Sequence, residues 1–443
     1  MRISLLIFLL TRTLSAGTPT YELSLTQALI KAKQKSELLK AADSDISSAQ
    51  EASEGSYTGL LPRLSLDGNI RYVTEVPEVQ VIPKGPSLKF GDHTNYSIGP
   101  TISYTVWDGG FVKSIHKQQK KNVEVKKEEK RYQIAQLEAS VKLSYIKTQF
   151  ALDQVRLLSD SVKLLEAEHK DILQKKEAGT ASPLDELTSK KELLSYKLQF
   201  QQKQNELTAA LHDLQALVES KPREHLEEPG PKKLSEAKLW ILLDEIKDTL
   251  THESLDEPKS FDESSPQLLS QDRMIEALEL SAESQEASQY PQIQVSARSS
   301  LDYPNGPILK RIHQNTLSLS FSMPLYEFSK TRHLVAEKRM KAEGLKQRRQ
   351  QMLTDLKRDF MKTKDHIRTL RREKNHALDI VKQADKVAQM TYEAYKIGRS
   401  SLVDVQASNF KALQAKVELS FLDVQILNAL TFLKLLNAKE SSL

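Results

Sequence analysis

Hydrophobic and polar residues follow two different periods along this chain, and the change of period predicts its elements. Apolar side chains at helical spacing from Leu25 to Ala32 predict a first helix that ends near Pro62. From Leu64 to Tyr72, and again from Ile98 to Val106, apolar and polar residues alternate with a period of two. The sequence therefore predicts two strands, each with one apolar face, joined by a long loop rich in proline and glycine.

A very long helix is predicted after the second strand. Residues 111–178 contain neither proline nor glycine. Apolar and small side chains recur there in steps of three and four, as in a coiled-coil seam that includes Val141, Thr148, Val155 and Leu165. A second stripe containing Leu143, Ile146, Phe150 and Leu157 lies beside it. Two stripes predict neighbouring helices on two sides.

The second half of the chain repeats this order. A helix from Ser265 leads to alternating runs at residues 292–297 and 317–325, and then to another long helical stretch. Gly179 and Gly398 each interrupt a helix before a Ser and an Asp, at an offset of 398 − 179 = 219. We therefore expect two structural repeats, residues 22–219 and 263–437. Residues 220–262 would form a proline-containing linker with a short helix around Trp240, and residues 438–443 a tail.

The N-terminus resembles a secretory signal peptide. A single Arg2 precedes an apolar run from Ile3 to Leu10, and small residues follow at Ser15 and Ala16, which predicts cleavage after residue 16. A buried N-terminal helix is the alternative. No other run approaches the roughly 20 apolar residues of a spanning helix, so we expect any membrane insertion to occur through strands.

Composition narrows the possible chemistry. The chain has no cysteine, 14 glycines and 28% charged residues, which excludes thiol chemistry and favours long helices. It contains no HExxH, phosphate-binding loop, dinucleotide fingerprint or nucleophile elbow. We therefore expect a protein that is not an enzyme and uses neither metal nor cofactor.

Positive charge is concentrated after the second strand pair. Residues 330–374 hold 16 Lys or Arg and 6 Asp or Glu, whereas the whole chain carries only +5. A solvated helix face is the common cause, and nucleic-acid binding is the alternative. The stretch lacks interleaved aromatic residues, which argues against nucleic acid.

The order of elements and their duplication resemble the TolC-like family of outer-membrane efflux proteins, from about residue 22 to the C-terminus. The motifs that carry the resemblance are "LPRLSL" entering the first strand, "WDGG" leaving the second, and the paired Gly-to-Asp turns. The resemblance implies a mainly helical fold with a small β part. Long coiled-coil hairpins would form a periplasmic α-barrel, and four strands per chain would contribute to a trimeric, twelve-stranded transmembrane β-barrel in the outer membrane.

The same resemblance implies a function and its partners. Such a protein is a passive conduit in a tripartite efflux or type I secretion system, contacting a periplasmic adaptor directly and an inner-membrane transporter indirectly. Outer-membrane lipid would surround it, and nucleic acid would not be a partner. Two alternatives stay open: a periplasmic adaptor protein, which has one hairpin rather than two, and a basic coiled-coil scaffold that binds nucleic acid.

Site residues are also implied by the resemblance. Asp404 would form an acidic ring at the entrance constriction, and Asp185 with Tyr395 would hold the entrance shut. An acidic residue in the first turn of a helix also has a purely structural explanation in the helix dipole. The family's second acidic position is Ala407 here. The tips that would contact the adaptor are Gly179, Thr180, Ala181, Ser182, Pro183, Gly398, Arg399, Ser400, Ser401 and Leu402.

Aromatic residues near the strand ends fit the interface between lipid and water. Packing in the core of an ordinary sandwich is the alternative. The candidates are Tyr72, Tyr104, Trp107, Tyr303 and Tyr326.

Overall fold

The computed structural model describes residues 21–80, 82–83, 85–218, 241–242, 245–255 and 257–437. The predicted signal peptide, most of the linker and the tail lie outside these residues. The elements of the first half are, in chain order, β1 (Tyr21–Glu22), α1 (Leu25–Lys35), α2 (Glu37–Thr58), β2 (Arg63–Tyr72), β3 (Glu78–Gln80), β4 (Ser87–Lys89), β5 (Thr94–Trp107), α3 (Phe111–Glu177) and α4 (Pro183–Val218).

The second half repeats the order of helix, strand pair, long helix, turn and helix. Its elements are β6 (Ile241–Leu242), α5 (Ile246–Leu255), α6 (Pro266–Ala287), β7 (Gln292–Tyr303), β8 (Ile312–Ser322), α7 (Lys330–Lys396) and α8 (Leu402–Leu436). Helices α3 and α7 each have 67 residues. At a rise of 1.5 Å per residue, each is about 100 Å long.

Two compact units divide the chain, and neither coincides with a repeat. The helical unit comprises the described residues within 21–37, 133–262 and 357–437. The sheet unit comprises the described residues within 38–132 and 263–356. Each unit takes segments from both halves, so the repeat boundaries drawn from the sequence stay a prediction.

The core of the helical unit forms along the seam predicted on α3. Val141 on this seam and Tyr145 beside it are fully buried, and both pack with residues of α1 and α4, among them Ala28 and Leu214. The Tyr145 hydroxyl donates a hydrogen bond of 2.9 Å to a main-chain oxygen in the connection between β1 and α1. Full burial of side chains of this size contributes about 1.5–3 kcal/mol each, so this seam is a major source of stability.

The second stripe predicted on α3 is only partly correct. Ile146 is buried against Val424 and Leu427 of α8, and Phe150 packs against the same cluster. Leu143, in contrast, is exposed. Ile146 and Phe150 therefore have the expected neighbouring helix. Leu143 has none in the described part of the chain.

Helix α5 attaches the end of the linker to the helical unit. Its buried Glu253 forms ion pairs with Lys142 of α3, at 3.0 Å, and with Lys434 of α8, at 2.8 Å. The Gln149 side chain also donates a hydrogen bond to the Thr249 hydroxyl at 2.9 Å. The short helix thus occurs at Ile246–Leu255. The sequence predicts it around Trp240, which lies outside the described residues.

Three further local predictions differ from the structure. The first predicted helix breaks at Ser36, whose ψ of 112° is extended, so that α1 and α2 are separate. The predicted long loop contains the small antiparallel hairpin of β3 and β4. Strand β8 ends at Ser322 instead of continuing to residue 325.

Helix α8 is also more apolar than predicted from the sequence. Its length and the apolar composition of an 18-residue window match those of a membrane-spanning helix. Half of that window is buried inside the protein. The packing of Val424 and Leu427 against α3 explains this apolar character as that of a core helix.

Candidate functional site

The four long strands form one antiparallel sheet in the order β2-β5-β7-β8. The hairpin from the first half therefore lies beside the hairpin from the second half, through the pairing of β5 with β7. Some rows of paired residues cross all four strands, and one such row contains Leu64, Ile102, Ala297 and Leu317. Because side chains alternate between the two faces, the apolar residues of every strand share one face of the sheet.

This apolar face is exposed. Ile70 is 81% exposed, Leu317 is 79% exposed and Leu319 is 74% exposed. The opposite face is polar and includes Arg63, Ser103, Ser296 and Ser318 in a single row. The amphipathic strands predicted from the sequence are correct, but the apolar face covers no core among the described residues. Exposed apolar area of this extent is typical of a surface that contacts lipid or another protein.

The candidate aromatics lie toward the two ends of the sheet. Tyr72 ends β2, and Tyr303 ends β7, where its ring stacks on that of Tyr96 with centroids 5.2 Å apart. Trp107 ends β5 at the opposite end of the sheet, and its ring contacts the Tyr290 ring edge-on. The remaining two candidates, Tyr104 and Tyr326, lie toward the same end as Trp107 and are exposed. Sequence reasoning missed Tyr96, which alternates in phase with Ile98 and Ile102.

The two predicted tips have the same local structure. Gly179 and Gly398 both have a φ of +73°, in the left-handed region that favours glycine. At the first tip the Thr180 amide donates to the Lys175 carbonyl at 2.8 Å, and at the second the Arg399 amide donates to the Ala394 carbonyl at 2.8 Å. These bonds define a Schellman cap at the end of each long helix. The tip residues are exposed except Ala181 and Ser400, which are half-buried, and Leu402, which is buried.

The helix after each tip begins with the same cap. Asp404 Oδ2 accepts hydrogen bonds from the Ser401 amide at 3.0 Å and the Ser401 hydroxyl at 2.6 Å. Asp185 Oδ2 accepts the equivalent bonds from Ser182 at 3.0 Å and 2.8 Å. Both carboxylates therefore have the structural role of a helix cap, and each leaves its Oδ1 without a hydrogen bond in the described part of the chain. The Ser401 hydroxyl, followed by its amide, lowers the pKa of Asp404, so this carboxylate is charged at neutral pH.

Tyr395 lies near the acidic residues of the neighbouring hairpin. Burial raises the pKa of its phenol, and the negative charges of Asp185, Asp171 and Glu168 raise it further. The Lys175 ammonium lies 4.8 Å from the centroid of the ring. Among the described residues, the Tyr395 hydroxyl and Asp185 share no hydrogen bond. The phenol is protonated and able to donate, but the pairing predicted for a closed entrance stays a prediction.

Many basic side chains of the stretch 330–374 form ion pairs within the chain. Arg349 binds Asp272 of α6 with both Nε and Nη2, at 2.7 and 3.0 Å. Other acidic partners of this stretch are Glu286, Glu279, Glu257 and Asp423, which pair with Arg339, Lys346, Arg371 and Lys374. These pairs favour a solvated helix face over a surface for nucleic acid.

Comparison with known proteins agrees with this arrangement. The family described as outer membrane efflux protein matches residues 28–219 and 258–437. The crystal structure of CusC aligns with a TM-score of 0.74 at 14% identity, covering 97% of this chain and 96% of that one. The Campylobacter jejuni CmeC outer membrane channel gives a TM-score of 0.71 at 13% identity, covering 93% of this chain and 85% of that one.

The outer membrane protein VceC from Vibrio cholerae gives a TM-score of 0.69 at 13% identity, covering 93% of this chain and 96% of that one. No curated protein sequence gives a significant match. The structural similarities show the shared fold, and the family match extends over both halves of the chain. The chain therefore belongs to the outer membrane efflux protein family, the TolC-like channels that its duplicated elements resemble.

Proposed function

We propose that this protein is the outer-membrane channel subunit of a tripartite efflux or type I secretion system. The observation that carries the proposal is the exposed apolar face of the four-stranded sheet, with a polar face behind it. A soluble protein loses stability by leaving such a face in water, at about 25 cal/mol per Å² of apolar surface. In a lipid bilayer the same face is well solvated, and the polar face then lines an aqueous pore.

The spacing of the aromatic ends supports membrane insertion. Eight residue steps of about 3.3 Å separate Tyr96 from Tyr104 along β5, which is about 26 Å. With the strand tilt of about 40° found in membrane barrels, this spans about 20 Å of bilayer thickness, and Trp107 extends it to nearly 28 Å. These values bracket the apolar band of about 25 Å in outer-membrane barrels.

The sheet edges support assembly from three copies. In the described sheet, β2 and β8 each pair with one neighbour only. Unpaired main-chain groups are not tolerated in lipid, so these edges must pair with further strands. Four strands per chain close a barrel of twelve when β8 of one copy pairs with β2 of the next. This assembly is a passive conduit and has no catalytic step.

Exposed apolar seams on the helices support the same assembly. The seam on α4 contains Leu184, Leu187, Leu194 and Leu198. The seam on α7 contains Ile380, Val387 and Met390, and Ile397 directly after the helix continues it. Both recur at coiled-coil spacing, and both lack a partner among the described residues. We propose that α4 of one copy packs against α7 of the next, and so closes the helical barrel in the periplasm.

The tips are proposed to contact a periplasmic adaptor, and through it an inner-membrane transporter. Gly179 and Gly398 have open space around them, since a Cβ built on either meets no atom within 4 Å. Asp404 and Asp185 each keep one carboxylate oxygen available beyond the cap, and Tyr395 keeps a free donor. We propose that Asp404 forms the acidic ring of the entrance, and that Asp185 and Tyr395 hold the entrance closed.

One pair of variants tests insertion into the outer membrane. Leu319→Arg places a charge on the apolar face, and Ser320→Arg places the same charge on the polar face one residue away. At the bilayer midplane the lipid-facing arginine costs about 2–4 kcal/mol per chain, whereas the pore-facing arginine is solvated. We expect Ser320→Arg to form detergent-resistant trimers in outer-membrane fractions and Leu319→Arg to lose them. Equal recovery of both variants, or wild-type protein that fractionates as soluble, would exclude membrane insertion of this face.

A further inference from the structure

The helical unit contains a cavity that the channel function does not require. It has a volume of about 400 Å³ and lies among the four long helices α3, α4, α7 and α8. Its walls include apolar side chains such as Leu157, Leu164 and Leu413, and the aromatic rings of Tyr196 and Tyr392. This size and this mixture of apolar and polar groups are typical of sites for small organic molecules.

Glu168 is the buried acid of this cavity. Glu168 is only 6% exposed. The Asn409 amide donates a hydrogen bond of 3.0 Å to Oε1, and in the described part of the chain Oε2 accepts none. No lysine, arginine or histidine among the described residues forms an ion pair with it. Burial raises the pKa of this carboxyl, against the opposing effect of the Asn409 bond. Once ionised, a carboxylate placed in this way destabilises the fold unless a positive charge joins it.

The other charged groups of the cavity leave it negative. Lys416 is its one cation among the lining residues, and this ammonium is paired with Asp385 at 2.8 Å. Asp160 pairs with the exposed Lys163 at 3.3 Å. Glu192 lines the cavity beside Tyr196 and adds a further negative charge. The net field therefore attracts a cation and repels an anion.

The cavity chemistry also selects between kinds of cation. Among the described residues, no group of three or more His, Cys, Asp or Glu is placed to hold a metal ion. Its apolar and aromatic walls instead suit a cation with an organic body, since aromatic faces attract such charges. We propose that this cavity binds an organic monocation with an aromatic or aliphatic body, and that Glu168 is its counter-ion. The site is a function separate from the conduit and does not depend on transport.

Isothermal titration of the purified full-length protein tests the site. Benzyltrimethylammonium is the probe, and phenylmethanesulfonate, which has the same benzyl group and a negative charge, is the matched anion. We expect the cation to bind saturably at one per chain and the anion not to bind. Glu168→Gln keeps the shape of the side chain and removes its charge, so it should weaken binding at least tenfold.

Two further variants separate the site from general effects. Glu166→Gln removes a carboxylate on the same helix that pairs with Lys197 outside the cavity, and it should leave binding unchanged. Ala388→Phe fills the cavity from α7 and should abolish binding while the circular dichroism spectrum stays that of the wild type. Absence of saturable cation binding would overturn the proposal. Equal binding of the anion, or unchanged affinity in Glu168→Gln, would overturn it as well.

Discussion

Replacing Gly398 by alanine tests the structure of the second tip. Gly398 has a φ of +73°, and a Cβ built there meets nothing within 4 Å. Steric clash with neighbours is therefore absent, and the whole cost of alanine is the left-handed backbone, about 1 kcal/mol. The Schellman bonds from Gly398 and Arg399 hold this geometry, so the cost shifts the local equilibrium toward an opened tip. At 1.4 kcal/mol per tenfold, opening becomes about fivefold more frequent.

Limited trypsin digestion measures this opening directly. Lys396 and Arg399 flank the glycine and are exposed, so cleavage there reports the opened fraction when reclosing is fast. We expect Gly398→Ala to be cleaved about fivefold faster than the wild type, and Gly179→Ala to behave equally at the first tip. Gly344→Ala is the matched control, because Gly344 lies inside α7 with open space around it. Alanine there should stabilise the helix by about 0.5–1 kcal/mol and leave tip cleavage unchanged.

A larger residue at the same place separates the cap from the adaptor surface. At Gly398 a Cβ meets no atom within 4 Å, although a β-branched valine strains the left-handed backbone more than alanine does. We expect Gly398→Val to leave trimers in the membrane while its side chain obstructs a docking partner. Transport should then be lost although the trimer persists. Unchanged trypsin cleavage in Gly398→Ala would refute the backbone reasoning. Normal transport by Gly398→Val would refute contact between this tip and an adaptor. Loss of the trimer would show that Gly398 serves only as a helix cap.

Three further predictions concern titratable groups. Below the ordinary Glu value of 4.5, Glu168 is protonated in both the folded and unfolded states. As pH rises, the unfolded chain ionises first because burial holds the folded pKa higher, and stability falls. Glu168→Gln should therefore raise the melting temperature at neutral pH and not at pH 4, in thermal scans without added cation; equal effects at both pH values would contradict this. Tyr395→Phe combined with Asp185→Ala should raise single-channel conductance in planar bilayers, and unchanged conductance would remove both residues from the gate. Asp404→Asn should shift the reversal potential toward lower cation preference, and an unshifted potential would leave Asp404 as a helix cap only.

The sequence by itself determined the elements and their order. Periods of two and of three to four are properties of the local backbone, so they are visible in the residue order before any tertiary contact is known. The positions of Gly179 and Gly398 were predictable for the same reason, because a left-handed cap needs glycine whatever surrounds it. The break at Ser36 and the β3-β4 hairpin lacked such a signal.

The tertiary structure decided which of these elements meet. The pairing of β5 with β7, far apart in the chain, joins the two hairpins into one amphipathic sheet with its apolar face exposed. The burial of Glu168 beside Asn409 likewise depends on two helices whose contacting residues are 241 positions apart. Neither follows from a local period, because burial and strand pairing are set by the free energy of contacts between distant segments. The sequence therefore predicts an amphipathic strand, and only the fold decides whether its apolar face is covered by a core or exposed.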